Sequence, residues 1–311
     1  MAAGATFELR AGTRKRRQVK LLESVFSSRT SLFDVRPPQG RAIALRPSIV
    51  LLLVGVTLWS TSVACLWTNE SRLVFQARRS RYPRPVPGKG LVELRTPDGI
   101  RLDALSLTHG RASAYWILFC PPSGRTIHGR VRRHLESLRA AGFNVFAFDY
   151  RGFGRNPGTP SEAGVYEDAL TAYRHLTQRL DVAPQRIILA GRSLGSAVAV
   201  ELATRVPSGG LLLLSAIDSV SATASRFYPW APVSWLVSQR FDSMRKASRL
   251  IVPVLQVHAS NDWLVPIDAA RALFRQFPGR KVMLELPGGH NEVGFADESL
   301  SRALSQFWSN P

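Results

Sequence analysis

Short apolar runs alternate with polar or amphipathic stretches through the C-terminal two-thirds of the chain. Residues 114–119 and 144–148 are rich in aromatic and β-branched side chains, which predicts strands that are buried on both faces. Residues 131–141 have helical spacing and are followed by Gly142, and residues 162–179 predict another helix. Because strands and helices alternate, we expect right-handed crossovers and a mostly parallel sheet.

Residues 91–107 show a different pattern, in which apolar and polar positions alternate on both sides of a Pro-Asp-Gly turn. This predicts an antiparallel hairpin ahead of the parallel strands. The predicted fold class is therefore α/β, with an antiparallel N-terminal lead-in. Residues 91–311 suffice for one domain with a sizeable core. Within it, residues 217–250 predict a small cap insertion, whose aromatic side chains line a pocket, contact a membrane or pack the cap onto the domain.

The segment over residues 47–68 contains no charged side chain. It exceeds the roughly 20 residues that a helix needs to cross a bilayer core, and Trp59 and Trp67 suit a membrane–water interface. We therefore predict an uncleaved transmembrane signal-anchor. The sequence Ser-Val-Ala over 62–64 resembles a cleavage site, so a cleaved signal is the alternative, although the long preceding flank is atypical of one.

The net charge of +19 is concentrated near the N-terminus, where residues 1–90 hold 16 Lys and Arg against 4 Asp and Glu. We expect residues 1–46 to be a basic, disordered arm and residues 69–90 a stiff linker rich in Pro and Arg. Ten of these basic residues precede the apolar segment and six follow it. The positive-inside rule then favours a cytoplasmic N-terminus and a C-terminal domain on the outer side of the membrane, periplasmic or otherwise extracytoplasmic. Lipid headgroups account for the arm with fewer assumptions than nucleic acid, so no nucleic-acid partner is predicted.

The sequence Gly191-Arg192-Ser193-Leu194-Gly195 lies between a short apolar run and a small, apolar stretch with helical spacing. A G-x-S-x-G turn between a strand and a helix is typical of a nucleophile elbow, which lifts the serine hydroxyl above the sheet. The turn is tight enough that its flanking residues need to be glycine. It also sets the N–H of Leu194 at a helix N-terminus, where negative charge is favoured. We therefore predict Ser193 as a nucleophile and Leu194 as an oxyanion-hole donor.

A serine nucleophile needs a base, and the base needs an acid that orients it. Of the histidines, only His258 and His290 follow Ser193 in the chain. His290 lies on a glycine loop directly after the predicted strand over 281–286, from which it can reach the tip of a neighbouring strand. His258 ends a strand itself. We predict His290 as the base and His258 as a structural residue.

Two aspartates compete for the orienting role. Asp262 lies just beyond the predicted strand over 253–258, and Asp218 follows the preceding predicted strand over 211–215. Some proteins with this order of elements place their acid at the earlier position. We favour Asp262 because of its position after the strand and keep Asp218 as the alternative acid.

Besides the serine, aspartate and histidine motifs, several further segments of the chain match one family. They are the run 143–154, Pro160-Ser161-Glu162, Tyr166, Asp168, Pro253-Val254-Leu255, Val265-Pro266 and Gly289. With them, residues 92–295 resemble the α/β-hydrolase superfamily, and within it the membrane-anchored Bem46-like serine hydrolases and the alpha/beta hydrolase domain-containing proteins of types 13 and 17. The resemblance implies hydrolysis of an acyl ester or thioester through an acyl-enzyme. It also implies that Ser193, His290 and Asp262 form a catalytic triad, and that neither cofactor nor metal is needed.

The turn after the third predicted strand departs from this branch. A His-Gly-Asn-type turn usually supplies the second oxyanion-hole N–H there, whereas residues 119–125 read Phe-Cys-Pro-Pro-Ser-Gly-Arg. Because Pro121 and Pro122 have no N–H, Ser123 is the predicted second donor. Loss of one donor in another enzyme costs about two to three orders of magnitude in rate. A catalytically impaired binding protein of this fold therefore stays open as an alternative. A serine aminopeptidase-like amide hydrolase, which would use the same triad, is the other.

The predicted partners are a small-molecule or lipid-like acyl substrate and a membrane, which the N-terminal helix would enter. The two cysteines, Cys65 in the apolar segment and Cys120 at a strand end, are predicted to be small hydrophobic residues rather than a disulfide pair. The sequence carries no signal for the oligomeric state.

Overall fold

The computed structural model describes residues 46–77, 90–110, 115–293 and 298–309. The predicted arm, apart from its last residue, and most of the predicted linker lie outside these ranges. The helices are α1 Pro47–Thr68, α2 Glu70–Phe75, α3 Arg130–Ala140, α4 Glu162–Arg174, α5 Leu194–Arg205, α6 Val220–Phe227, α7 Val233–Leu236, α8 Ser243–Ala247, α9 Ile267–Gln276 and α10 Glu298–Ser309. The strands are β1 Leu91–Arg95, β2 Arg101–Leu107, β3 Trp116–Cys120, β4 Asn144–Phe148, β5 Ile187–Arg192, β6 Gly210–Leu214, β7 Val254–Ala259 and β8 Lys281–Leu286.

The eight strands form one sheet in the order β1-β2-β4-β3-β5-β6-β7-β8. β1 and β2 pair antiparallel, β2 pairs antiparallel with β4, and the remaining neighbours are parallel. The predicted α/β class, its antiparallel lead-in and its parallel sheet are confirmed. Because helices cover both faces, β4, β5, β6 and β7 are buried along their whole length. The carboxyl ends of β5, β6, β7 and β8 share one edge of the sheet, where side chains from the following loops can meet.

α1 has the same bounds as the predicted apolar segment and a mean hydropathy of 2.2 over its most apolar window. It is the one helix among the described residues that is long and apolar enough to cross a membrane, by length and composition. The chain divides after Thr57 into two compact units, and the second, residues 58–311, contains the last part of α1 and the whole sheet.

α2 occupies the start of the predicted linker, yet it is an integral part of the second unit. Phe75 is fully buried and packs edge-to-face on Phe241, with 5.8 Å between ring centroids. The Glu70 carboxylate accepts hydrogen bonds from the N–H groups of Ser238 and Gln239, both at 2.8 Å, and from the Ser238 hydroxyl at 2.7 Å. The first residues of the predicted linker are therefore bound to the cap, because α2 buries an aromatic side chain and satisfies a carboxylate there.

Candidate active site

Ser193 occupies a sharp turn between β5 and α5. Its backbone has φ 51° and ψ −122°, a conformation that non-glycine residues rarely adopt. A Cβ atom on Gly191 would lie 2.0 Å from the Gly195 carbonyl oxygen, and one on Gly195 would lie 2.0 Å from the Cys120 carbonyl oxygen. Both flanking positions therefore require glycine, which is the steric reason predicted from the motif.

The side chains of Ser193, His290 and Asp262 form a continuous hydrogen-bonded chain, although they come from three different loops. His290 Nε2 lies 3.0 Å from Ser193 Oγ, and His290 Nδ1 lies 2.7 Å from Asp262 Oδ2. All three residues are buried. Because an ionised carboxylate can only accept, the imidazole donates its Nδ1–H to Asp262, which leaves Nε2 free to accept the Ser193 hydroxyl proton.

The Asp262 carboxylate is stabilised in its charged form. Burial by itself raises its pKa, but the hydrogen bonds from His290 and from the Val265 N–H, together with the neighbouring imidazoles, hold the pKa below its ordinary value. Asp262 Oδ1 accepts from the N–H groups of Leu264 and Val265, at 2.9 and 2.8 Å. The carboxylate is thus fixed by its own loop as well as by the imidazole.

His258 lies beside this carboxylate rather than beside Ser193. Its Nε2 is 2.9 Å from the Val265 carbonyl oxygen and 3.3 Å from Asp262 Oδ2. Burial lowers the pKa of His258. Because the Val265 carbonyl oxygen can only accept, the His258 ring carries a proton on Nε2 and donates it there. This geometry fits the structural role predicted for His258.

The carboxylate of Asp218, the alternative acid, contacts Arg226 and Ser219, whereas the carboxylate at His290 Nδ1 is that of Asp262. The Asp218 carboxylate pairs with the Arg226 guanidinium at 2.5 Å and accepts the Ser219 N–H at 2.8 Å. Its backbone carbonyl accepts the N–H groups of Ser243 and Met244. Through these contacts Asp218 connects α6 with the first residues of α8, at the point where the cap begins.

Arg192 contacts the site in a way that the sequence analysis missed. Its guanidinium donates a 2.8 Å hydrogen bond to the His290 carbonyl oxygen, which also accepts the Ser215 hydroxyl at 3.2 Å. Burial, with the charges of Arg130 and Arg125, lowers the pKa of Arg192 to about 10, so the group stays cationic at neutral pH. The sequence gives one indication of this role, which is that a charged residue occupies the first variable position of the G-x-S-x-G motif.

The turn after β3 leaves few N–H groups for an oxyanion. Pro122 has none, and the Gly124 N–H donates to the Phe75 carbonyl oxygen at 2.9 Å. The Tyr150 hydroxyl donates to the Pro121 carbonyl oxygen at 3.0 Å, which ties the turn to the residues after β4. Ser123 lines both cavities around Ser193 and, unlike the two prolines before it, has an N–H group.

Two cavities meet at Ser193, and we call them the apolar lobe and the polar lobe. The apolar lobe, about 460 Å³, is lined mainly by α2 and the cap, through Leu73, Val74, Ile217, Val220, Ala224 and Phe227. The polar lobe, about 230 Å³, is lined by Arg125, Arg192, His290 and Asn291. Ser123, Trp263 and Leu264 border both lobes.

The aromatic residues of the cap divide among several environments. Phe227 and Tyr228 line the apolar lobe, and Phe241 is fully buried against α2 and α4. The Trp235 side chain is 89% exposed. The cap aromatics therefore pack the insertion, line the cavity and face outward at different positions, rather than sharing one role. Among the described residues, no group of three or more His, Cys, Asp or Glu is arranged to hold a metal ion.

The parallel sheet, the strained serine turn and the loops at the strand ends define the class of this protein as an α/β hydrolase. The profile of the alpha/beta hydrolase family matches residues 107–309. An uncharacterized protein of Mycobacterium tuberculosis is 32% identical over 263 residues, which cover 83% of this chain and 91% of that protein. The human alpha/beta hydrolase domain-containing protein 17C is 29% identical over 217 residues, covering 70% of this chain and 64% of that protein.

Among solved structures, the esterase Pf2001 of Pyrococcus furiosus superposes with a TM-score of 0.60 at 18% identity, covering 75% of this chain and 98% of that one. At this identity the likeness concerns the fold. The chain belongs to the alpha/beta hydrolase family, as the profile match and the sequence relatives show.

Proposed function

We propose that this protein hydrolyses an acyl ester or thioester, with Ser193 as nucleophile, His290 as general base and Asp262 as the acid that orients the imidazole. The observation that carries the proposal is the unbroken hydrogen-bonded chain from Ser193 Oγ through His290 to Asp262 Oδ2. The two links, 3.0 Å at Nε2 and 2.7 Å at Nδ1, lie within the hydrogen-bonding distances that general-base catalysis needs.

The reaction follows from the positions of these groups. Ser193 Oγ attacks the carbonyl carbon while its proton moves to His290 Nε2, and the N–H groups of Leu194 and Ser123 stabilise the oxyanion. The protonated imidazole then donates its proton to the leaving oxygen or sulfur, and an acyl-enzyme remains. Water, deprotonated by His290, hydrolyses this intermediate and restores the hydroxyl.

The apolar lobe suits the acyl chain. Its walls are aliphatic and aromatic side chains from α2 and α6, and a second, smaller apolar cavity shares Leu73, Val74 and Val220 with it. That second cavity is also lined by Leu66 and Trp67, in the last turn of α1. A chain of successive methylene groups would gain roughly 0.8 kcal/mol for each group that it buries there.

We propose further that α1 anchors the protein in a membrane as an uncleaved span, with the hydrolase domain on the outer side. The absence of charge over the 22 residues of α1 and the larger number of basic residues ahead of it support this orientation. A protease-protection assay tests it on cells whose outer membrane or wall has been removed, with a C-terminal tag on the protein: we expect added protease to cleave the tag. A tag that stays protected until the anchoring membrane itself is opened would reverse the orientation.

The decisive experiment is labelling of the full-length protein in neutral detergent with a fluorophosphonate probe, beside Ser193→Ala and Asp218→Asn. We expect labelling of the first and third proteins only, followed by turnover of p-nitrophenyl esters with a preference for longer chains. A folded wild-type protein that stays unlabelled, yet binds acyl compounds, would favour the binding protein of this fold. Turnover of aminoacyl amides in preference to esters would favour the aminopeptidase-like reaction.

A further inference from the structure

The polar lobe has a chemical character that the hydrolysis of a simple ester does not require. Among the described residues that line it, Arg125 and Arg192 are cationic and none is acidic. Asp262, the acidic group that acts on Arg192 through its charge, already has its oxygens bonded to His290, Leu264 and Val265. Two guanidinium groups therefore border a cavity next to the nucleophile without a carboxylate in the cavity wall.

The position of His290 decides which part of a substrate enters this lobe. His290 has to protonate the leaving atom, so the leaving group must lie on the side of Ser193 where the imidazole lies. His290 lines the polar lobe and does not line the apolar lobe. The acyl chain and the leaving group are thus assigned to opposite lobes.

The donors in the polar lobe favour an anion on that leaving group. Arg192 is only 5% exposed, is fixed by its bond to the His290 carbonyl, and has further N–H donors to satisfy. A buried cation beside Arg125 and Arg130 is destabilised by desolvation and by like charge, and a bound anion would offset both. Guanidinium groups match the oxygen geometry of phosphate with paired hydrogen bonds, and the Ser123 hydroxyl and the Asn291 amide offer further donors.

We propose that the leaving group of the substrate carries a phosphate, which Arg125 and Arg192 bind in the polar lobe while the acyl chain occupies the apolar lobe. This inference rests on the proposed hydrolysis. The acyl C–O or C–S bond breaks, water supplies the hydroxyl of the free acid and the proton of the leaving alcohol or thiol, and the phosphate is untouched. Two sources share this chemistry: an acylated glycerol phosphate from a membrane lipid and a soluble acyl thioester of a short phosphorylated thiol.

The test uses the full-length protein in neutral detergent with matched pairs of substrates that share one acyl chain. The first pair is 1-acylglycerol 3-phosphate and 1-monoacylglycerol, and the second is the acyl thioester of 2-mercaptoethyl phosphate and that of 2-mercaptoethanol. We expect the phosphate-bearing member of at least one pair to have a kcat/KM about 10–100-fold higher, the range expected for hydrogen bonds to a charged group. The pair that shows this preference identifies the source.

Variants of Arg125 supply the second part of the test. Arg125→Ala should reduce the phosphate preference about tenfold and Arg125→Glu should abolish it, whereas kcat/KM for the neutral esters should change less than threefold. Arg133→Glu, on α3 and outside the cavity lining, makes the same change in net charge and should leave the preference intact. A wild-type preference near one, or a preference that survives Arg125→Glu, would overturn the inference while leaving the hydrolase assignment in place.

Failure of the proposed hydrolysis gives a different result, since no substrate in either pair would be consumed. Binding then decides the inference about the lobe. Glycerol 3-phosphate and inorganic phosphate are titrated by calorimetry into two proteins. One is the Ser193→Ala variant and the other is the double variant that carries Ser193→Ala and Arg125→Glu. Binding of glycerol 3-phosphate that Arg125→Glu weakens at least tenfold supports an anion subsite, whereas equal or absent binding by the two proteins contradicts it.

Discussion

The apolar and polar lobes meet at one serine hydroxyl but are built from different parts of the chain. The polar lobe is formed mainly by loops at the carboxyl ends of β3, β5 and β8, and its side chains are tied to the backbone by hydrogen bonds, as Arg192 is to the His290 carbonyl. The apolar lobe is formed by α2 and the cap, which lie outside the sheet. The loops that hold the proposed chemistry are thus braced by the sheet, whereas the walls that would select the acyl chain belong to segments that can vary without disturbing the strands.

The largest expected effect is the loss of kcat when the residues around Ser193, where the two lobes meet, are changed. His290→Ala should lower kcat by roughly six orders of magnitude and Asp262→Asn by roughly four, the sizes found when a triad loses its base or its orienting acid. Ester hydrolysis under substrate saturation measures both. Asp218→Asn is the matched control and should retain kcat within a few-fold, because Asp218 pairs with Arg226 and not with the imidazole. If kcat is lost in Asp218→Asn while Asp262→Asn stays active, the acid that orients His290 is Asp218 and not Asp262.

Filling the apolar lobe should change selectivity by a smaller factor. Ala224→Trp places a large side chain among the lining residues, so esters of 12 to 16 carbons should lose about 10–100-fold in kcat/KM, at roughly fourfold for each methylene excluded. Acetyl and butyryl esters should be unaffected. Ile251→Trp, at a position that is 84% exposed and outside the lobe, should leave the chain-length profile unchanged. A uniform loss over all chain lengths would place the acyl chain elsewhere.

Raising the ionic strength should affect the substrate preference of the polar lobe and not that of the apolar lobe, without any substitution. Arg125 is exposed at the mouth of the polar lobe, so raising salt from about 0.05 to 0.5 M should reduce a preference for phosphate-bearing leaving groups about three- to tenfold. The chain-length preference should stay constant or rise slightly, because burial of apolar surface is not screened. The two preferences are measured as ratios of kcat/KM on the same protein. A parallel fall of both ratios would argue against separate lobes.

The smallest effect concerns the wall that α2 provides. Glu70→Gln weakens the charge-assisted hydrogen bonds to Ser238 and Gln239 by about 1 kcal/mol in total, so KM for long-chain esters should rise roughly fivefold while kcat and short-chain esters change little. Glu136→Gln, which removes an exposed carboxylate on α3, serves as the control. An unchanged long-chain KM would show that α2 borders the lobe without shaping it.

Much of the fold could be predicted from the sequence because its causes are local. The bounds of α1 coincide with an uninterrupted apolar segment, and the antiparallel β1–β2 hairpin follows from alternation around a Pro-Asp-Gly turn. The glycines at 191 and 195 are required by close contacts, one within the elbow and one with the end of β3. The sequence did not predict that α2 belongs to the folded domain and not to the linker. A six-residue helix is too short for its hydrophobic periodicity to distinguish it from a linker.

By itself, the sequence determined the parallel sheet, the serine turn and the order of the predicted serine, acid and histidine along the chain, since periodicity, glycine spacing and strand ends are readable over a few residues. Only the tertiary structure decided which aspartate contacts His290, that the Gly124 N–H donates to the Phe75 carbonyl oxygen, and that Arg192 and Arg125 line the polar lobe beside Ser193. These contacts join positions 28 to 98 residues apart. They depend on how the strand ends and the cap come together, and no local pattern in the chain encodes that packing.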